Sequence, residues 1–369
     1  MRNNGFVDTV NQLISKNLPF ALYYAPGEEE PDLVVQTQGA LFKANSYEEL
    51  NDTSGFVFAP FTISARTPLV VIRPDLHIKA FAAISALNVA EHTLRGPSLP
   101  QQAHDLPREI NKAEYIQMAE PLLRLIREGD CEKVVLSRTL HVDLTGSASP
   151  GDILQKLKTR LGHAFVNLVH LPEIGTWMGA TPELLLKKHH GRFSTVSLAG
   201  TLPVSGDHTE LPWTDKEIRE QEIVTEFIEM QLQNFGIADY NKTGPFTSFA
   251  GNVAHLKTEF DFPDTQVHND LGRFITTLHP TSAVCGSSRE KARNYILTQE
   301  THDREYYCGF LGEWNLAGRL NLYVNIRCMK LLDRRACLYV GGGITEDSVL
   351  ENEWEETNHK AKTLLSILM

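Results

Sequence analysis

Long apolar runs are missing from this chain. No stretch approaches the ~18 apolar residues that cross a membrane as a helix, and the opening MRNNGFVDTVNQLISKN lacks the apolar centre of a signal peptide. Cysteine is scarce and scattered. Cys131, Cys285, Cys308, Cys328 and Cys337 are odd in number, and no pair has metal-site spacing. That usage excludes a disulfide framework and is expected of a reduced, cytoplasmic protein. Excess positive charge is missing too: the formal net charge of −11 argues against a nucleic-acid or anionic-membrane surface. It also sets a constraint. An acidic protein that binds an anion needs local positive charge from Arg, Lys, backbone amides or a metal. Internal repeats and low-complexity segments are absent as well.

What is present is apolar content, 42% of 369 residues, enough for a large core. The length allows two domains, or one large domain with a big sheet. Residues 1–95 read as short strands between polar turns, for example LVVQTQGALFKA and GFVFAPF. Three prolines and few apolar residues in 96–110 predict an exposed connector. A helix is predicted over 112–128, with Ile116, Ala119, Leu123 and Ile126 on one stripe. Beyond it, strand patterns such as KVVLSRTLHVDL, AFVNLVHL, RFSTVSLAG, LNLYVNIRCMKLL and ACLYVGGG mix with helical ones such as GDILQKLKTRL. Many strand patterns follow one another with no helix between them. This favours an antiparallel-rich α+β architecture over a strand–helix alternation. Two capping boxes predict helix starts, Thr214 to Glu217 and Ser348 to Glu351, and Gly236 predicts the end of the first helix.

The chemistry-bearing residues gather towards the end of the chain. In YVGGGITEDSVLENEWEETNHKAKTLL, three glycines follow an apolar strand and read as an anion-accepting turn. The helix after them carries Glu353, Glu356 and Lys360 at i, i+3 and i+7, on one face. Glu220 shares an apolar helical stripe with Val224 and Phe227. Either it ends that stripe and reaches solvent, or it is buried against a cation or metal. Three carboxylates from two helices would suit Mg²⁺. Lys133, in EKVVLSR, is either the wet end of a strand or a desolvated base. Glu183, after Ala180-Thr181-Pro182, is either a turn carboxylate or a proton donor with a raised pKa. Arg327, in an apolar strand pattern, needs an acidic partner, which a substrate carboxylate would provide through a bidentate contact. His279 is as readily structural as functional, and no cysteine has a visible base partner. These residues point to an Mg²⁺-dependent enzyme acting on a small carboxylate by acid–base chemistry.

The segments KVVLSR, GATPELLLKK, SLAGTL, LHPTSAVCG, REYYCGFLGEW, NIRCMKL, YVGGGI and EWEETNHKAKTLL occur in the order seen in the chorismate-utilising enzymes, and the chain resembles that family over roughly 112–369. The resemblance implies an α/β (α+β) fold of antiparallel sheets packed together with helices outside. Residues 1–110 would be a divergent N-terminal part of the same domain and 111–369 the chorismate-binding catalytic region. It implies that Lys133 activates the attacking water and Glu183 protonates the departing hydroxyl. Glu220 and Glu356 would be Mg²⁺ ligands, with Glu353 alongside. Gly200, Arg327, the glycine turn at Gly341 and Lys360 would contact substrate carboxylates.

Within the family, lysine at 133 resembles the water-using members rather than anthranilate synthase component I. Ala199 disfavours aminodeoxychorismate synthase component I. The short chain and the ATPELL and LHPTSAV segments resemble isochorismate synthases, and HLKTEF resembles the menaquinone-pathway type, with a siderophore role also open. A salicylate synthase, which also eliminates pyruvate, and a catalytically dead binding paralogue are the alternatives. The resemblance to isochorismate synthases implies a monomer that needs no glutamine amidotransferase subunit, nucleic acid or membrane.

Overall fold

The computed structural model describes residues 4–92, 106–144, 148–204, 211–250, 253–267, 270–332 and 334–369, so most of the expected connector lies outside the described residues. The first half of the chain contributes strands β1 (Phe20–Tyr24), β2 (Asp32–Val35), β3 (Phe42–Ala44), β4 (Gly55–Ala59), β5 (Leu69–Ile72), β6 (Leu76–Lys79), β7 (Val134–Asp143), β8 (Phe165–Leu171) and β9 (Gly175–Thr181). The second half adds β10 (Leu184–His189), β11 (Arg192–Pro203), β12 (Asn241–Ala250), β13 (Val253–Pro263), β14 (Phe310–Leu316), β15 (Arg319–Val324), β16 (Cys328–Leu332) and β17 (Arg335–Ile344). The helices are α1 (Asn4–Ser15), α2 (Phe81–Ser85), α3 (Lys112–Arg127), α4 (Pro150–Leu161), α5 (Asp215–Phe235), α6 (Leu271–Leu278), α7 (Arg289–Gln299) and α8 (Leu350–Leu368). No helix among the described residues is long and apolar enough to cross a membrane.

The strands form two antiparallel sheets. One has eight strands in the order β6-β2-β1-β8-β9-β16-β17-β7, and the other nine in the order β12-β13-β11-β10-β15-β14-β4-β5-β3. Strands from the first eighty residues enter both sheets, so this part of the chain is woven into the same framework. Side-chain alternation explains the layering. In β8, Phe165 and Val169 join the core shared by the two sheets, whereas Val166 and Leu168 join a second core with residues of α1, α4 and α8. Rings close the space between the sheets. Phe165 stacks on Tyr323 at 4.3 Å, and Phe58 meets Trp177 edge-on at 6.1 Å. Trp177 and Phe58 are buried, and cutting either back to alanine in such a core would cost about 3–5 kcal/mol.

Local chemistry accounts for the helix ends. The Thr214 N–H donates to the Glu217 carboxylate at 3.1 Å, and Gly236 closes α5 in the left-handed region at φ +92°. The helix predicted over 112–128 is α3. Its buried face is Tyr115, Met118, Ala119, Leu122, Leu123 and Ile126, while Ile116 is only half-buried. The second predicted capping box is a correction. The Ser348 hydroxyl accepts from the Thr345 N–H at 3.0 Å, inside the preceding turn, and Val349 takes the cap position of α8. LNLYVNIRCMKLL is also not one strand: it is β15 and β16, which lie in different sheets.

Three histidines are buried and neutral. Burial pushes His170 down to about 4, and His255 and His279 down to about 3. Unfolding exposes them to water, where histidine binds a proton near pH 6.5. Their stabilisation is therefore complete above pH 6.5 and is lost as the pH falls towards 3, because only the unfolded chain takes up protons in that window. Each histidine should contribute a slope of up to about 1.4 kcal/mol per pH unit. Denaturant midpoints measured between pH 7 and pH 4.5 should fall steadily; a flat series would contradict their neutral burial.

Candidate active site

Two places where the chain changes sheets lie side by side. Pro182 and Glu183 carry it from β9 in the eight-stranded sheet to β10 in the nine-stranded one, and Asn325 to Arg327 bring it back from β15 to β16. Backbone bonds tie the crossings together: the Val324 N–H donates to the Glu183 carbonyl at 2.9 Å, and the Ala180 N–H to the Arg327 carbonyl at 3.2 Å. The Thr181 hydroxyl adds a bond to the Val324 carbonyl at 2.6 Å. A side chain at a sheet crossing is delivered to the cleft between the sheets. Glu183 is buried there. Loss of hydration pushes its carboxyl up to about 7, even though Lys133, Lys360 and Arg327 act in the opposite direction. Arg327 takes a left-handed backbone at φ +48°, a strained conformation for a non-glycine residue. Burial pushes its guanidinium down to about 10, partly offset by Glu183.

The three glycines expected to form an anion-binding turn do something else. Gly341, Gly342 and Gly343 lie within β17 and pair with Ser137, Leu136 and Val135 of β7. They serve the site by having no side chain. A methyl group at Gly343 would stand 2.7 Å from Glu220 Oε1 and from Lys133 Cε. One at Gly342 would face Glu353 Oε2 at 3.5 Å, and one at Gly341 would meet the Tyr307 hydroxyl at 2.9 Å. The bare strand leaves room for side chains from α5, α8 and the start of β7.

Those side chains pair off. Glu220 Oε1 is 2.8 Å from Lys133 Nζ, Glu353 Oε1 is 2.8 Å from Lys216 Nζ, and Glu356 Oε1 is 2.7 Å from Lys360 Nζ. Lys360 also donates to the Gly341 carbonyl at 3.0 Å. Lys133 and Glu353 have no exposed side-chain surface. Burial pushes Glu220 up, but Lys133, then Lys360 and Lys216, hold it below its ordinary value. Burial and then the charge of Glu356 push Glu353 up, and Lys216 and Ser348 offset this only in part. Burial opposes the charged forms of Lys216 and Lys360, yet the carboxylates keep both above the ordinary lysine value. Glu353 Oε2 is buried without a hydrogen-bond partner, and Lys133 Nζ has only its ion pair with Glu220. The cleft beside them keeps a cavity of about 80 Å³, lined by Glu183, Glu220, His255, Tyr307, Arg327 and Lys360 among others.

Thus Glu183, Glu220, Arg327 and Lys360 line one cleft, Lys133 and Glu356 are ion-paired to its lining residues Glu220 and Lys360, and Glu353 is paired with Lys216 beside them. Gly200 has a left-handed backbone at φ +67°, and its carbonyl accepts from His255 Nδ1 at 3.0 Å. His279 lies elsewhere, edge-on to Tyr47 at 5.9 Å in the core. All five cysteines are buried and free. Sequence reasoning missed two residues. His255 Nε2 lies 2.8 Å from Arg327 Nη2; with Nδ1 donating to Gly200, Nε2 is the atom that accepts. The signal was a histidine inside an apolar strand. Lys216 was missed although it stands in the first turn of α5, where the helix dipole disfavours a cation.

Comparison with known proteins bears on the family and the fold. A family described as "Chorismate binding enzyme" matches residues 64–369. The vibriobactin-specific isochorismate synthase of Vibrio cholerae is 30% identical over 284 residues, which cover 73% of this chain and 72% of that protein. The isochorismate synthase EntC of Escherichia coli is 28% identical over 78% of this chain and 72% of its own length. Among solved structures, a putative 2,3-dihydroxybenzoate-specific isochorismate synthase from Bacillus anthracis superposes with a TM-score of 0.77 at 24% identity, covering 98% of this chain and 99% of that one. The menaquinone-specific isochorismate synthase of Escherichia coli gives 0.75 at 22% identity, over 96% of this chain and 89% of that one. Those two structures speak to the fold; the sequence match, which spans most of the chain, shows that it belongs to the chorismate-binding enzymes.

Proposed function

We propose that this chain is an isochorismate synthase, converting chorismate reversibly to isochorismate by adding water at C2 as the C4 hydroxyl leaves. The observation that carries the reading is a buried carboxyl, pushed up to about 7 by loss of hydration, beside a wholly buried lysine whose partner is Glu220 at 2.8 Å. Hydroxyl exchange needs both an acid and a base. In this reading Glu183 gives its proton to the departing C4 hydroxyl, and Lys133 takes one from the attacking water. Arg327, held by His255, and Lys360 bind the substrate carboxylates. Water as nucleophile removes any need for ammonia or an amidotransferase subunit. The names of the relatives differ in pathway and agree on the product, so the product is what this proposal takes from them.

Mg²⁺ fits the donor set. Glu220, Glu353 and Glu356 are hard oxygen ligands, and Glu353 Oε2 is buried without a partner. As arranged, each carboxylate is held by a lysine, and no three donors among the described residues converge on one point. The three glutamates would hold the ion once the lysine pairs part. Bound there, it would supply the positive charge that a doubly anionic substrate needs. Lys133 must leave its pair with Glu220 to act as a base. Removing it by Lys133→Ala therefore also strips Glu220 of its counter-charge, so that variant perturbs the carboxylate cluster as well as the base.

Purified protein given chorismate and Mg²⁺ should form isochorismate and reach an equilibrium, with no ammonia requirement, and an excess of chelator should stop it. Salicylate with stoichiometric pyruvate would place the chain with the salicylate synthases, and no turnover of any kind would reduce it to a binding protein. Glu183→Gln keeps the shape but has no proton to give, so kcat should fall by about 10²–10⁴-fold. The parent profile should lose activity as the pH rises through about 7, where Glu183 ionises, and the variant should lack that limb. Because the fold disfavours ionised Glu183 above that pH, the variant should be at least as stable as the parent at pH 8. A parent profile flat from pH 6 to 9 would remove Glu183 from the acid role. Gly343→Ala drives a methyl group into Glu220 and Lys133. Displacement of this order can cost about 10²-fold in rate, and turnover near that of the parent would show that the bare strand is not required.

A further inference from the structure

Lys216 differs from the other two lysines of the cluster. Lys133 is wholly enclosed, and Lys360 is held twice, by Glu356 and by the Gly341 carbonyl. Lys216 makes one contact, to Glu353 Oε1 at 2.8 Å, and its side chain is 25% exposed, close to the 24% of Lys360, so the single contact is what sets it apart. It reaches a fully buried carboxylate from the rim of the cleft. Its backbone sits in the first turn of α5, at the positive end of the helix dipole, beside Asp215 and Glu217. A cation gains nothing from that position; what it gains is the field of Glu353, Glu356 and Glu220 together. On the far side of the same carboxylate, Glu353 Oε2 has no hydrogen-bond partner. Besides the Ser348 hydroxyl, Glu353 is thus held by one displaceable ammonium.

We propose that Lys216 is a tethered stand-in for the divalent cation. In the cation-free protein its ammonium neutralises Glu353 and keeps the carboxylate cluster together, and binding of the cation releases it. The inference rests on the reading that Glu220, Glu353 and Glu356 hold the metal, and it adds what sets the metal's affinity. Two cations that compete for one carboxylate are negatively coupled, and such couplings typically amount to about 5–150-fold in affinity. Lys216 would act as a brake on metal binding and as a support for the empty site.

The test uses Mn²⁺ as the probe ion, with the free ion counted by electron paramagnetic resonance, on the whole chain and on Lys216→Met. The variant should bind Mn²⁺ at least about 5-fold more tightly. It should melt lower than the parent in chelator and recover more of that loss in saturating Mg²⁺. A second measurement avoids any folding defect. Acetylation of Lys216 in the unaltered protein, followed by mass spectrometry, should speed up when Mg²⁺ is added, because the ammonium is freed. Equal Mn²⁺ affinity in parent and variant, or an acetylation rate that Mg²⁺ leaves unchanged while Mn²⁺ binds the parent, would overturn this inference and leave the metal site standing. A parent that binds no Mn²⁺ and turns over in excess chelator would overturn the metal reading and this inference with it.

Discussion

Burying an ionised carboxylate costs several kcal/mol unless a cation and hydrogen bonds stand beside it, and this molecule gathers Glu220 and Glu356, both half-buried, around the fully enclosed Glu353. The fold meets that cost with Lys133, Lys216 and Lys360, one ammonium for each carboxylate at 2.7–2.8 Å. Much of the local architecture follows from this requirement. Six long side chains from α5, α8 and the start of β7 have to converge over one strand, and a strand with ordinary side chains would leave them no room. Gly341, Gly342 and Gly343 remove that obstruction while keeping β17 paired with β7. A strand interior is an unfavourable place for consecutive glycines, so the space they clear outweighs the packing they give up.

The acid and the arginine depend on a different device. A residue inside a strand points to one face of one sheet, but a residue at a crossing between sheets stands in the gap. Glu183 and Arg327 occupy neighbouring crossings, stitched together through Thr181, Val324 and Ala180. The positive φ of Arg327 is held by this stitching, a local strain tolerated because the backbone on both sides is fixed in strands. Dryness then tunes both groups. The same burial that pushes Glu183 up to about 7 pushes Arg327 down to about 10, so each is brought closer to its neutral form while their mutual attraction resists.

Much of this was legible in the sequence, and the failures have physical causes. The i, i+3, i+7 spacing placed Glu353, Glu356 and Lys360 on one helix face, because helical periodicity is local information, whereas the stripe of Val224 and Phe227 left Glu220 open between solvent and the core. The antiparallel character was legible for the same reason, in strand patterns with no helices between them. The order of strands within the two sheets was not, since pairing is non-local. The glycines were misread because a glycine run signals turns far more often than a cleared strand, and only the side chains packed above them distinguish the two. The break at Arg327 was hidden because residues on both sides of it are apolar and strand-forming. Ser348 carries the right residue three places before a glutamate, yet its hydroxyl is taken by the turn before the helix. Lys216 and His255 were missed because their roles lie in partners far along the chain, Glu353 and Arg327.

The charge balance of the cleft constrains what it can bind. Glu183, Glu220, Glu353 and Glu356 face Lys133, Lys216, Lys360 and Arg327, so the site is close to neutral when Glu183 is ionised and mildly positive when it is protonated. A substrate with two carboxylates would carry two negative charges into a space where they could not be well hydrated, and the lysines are already engaged. Two further positive charges would restore the balance, and a single divalent cation would supply both once the glutamates of the two helices parted from their lysines. On the proposed reading, such a cation would also loosen the grip of the glutamates on the lysines and would free Lys133 from Glu220, which a base at that position requires. Metal, dianion and base would in this sense be one electrostatic problem, with the overall deficit of positive charge in the chain answered locally by an imported ion rather than by additional arginines.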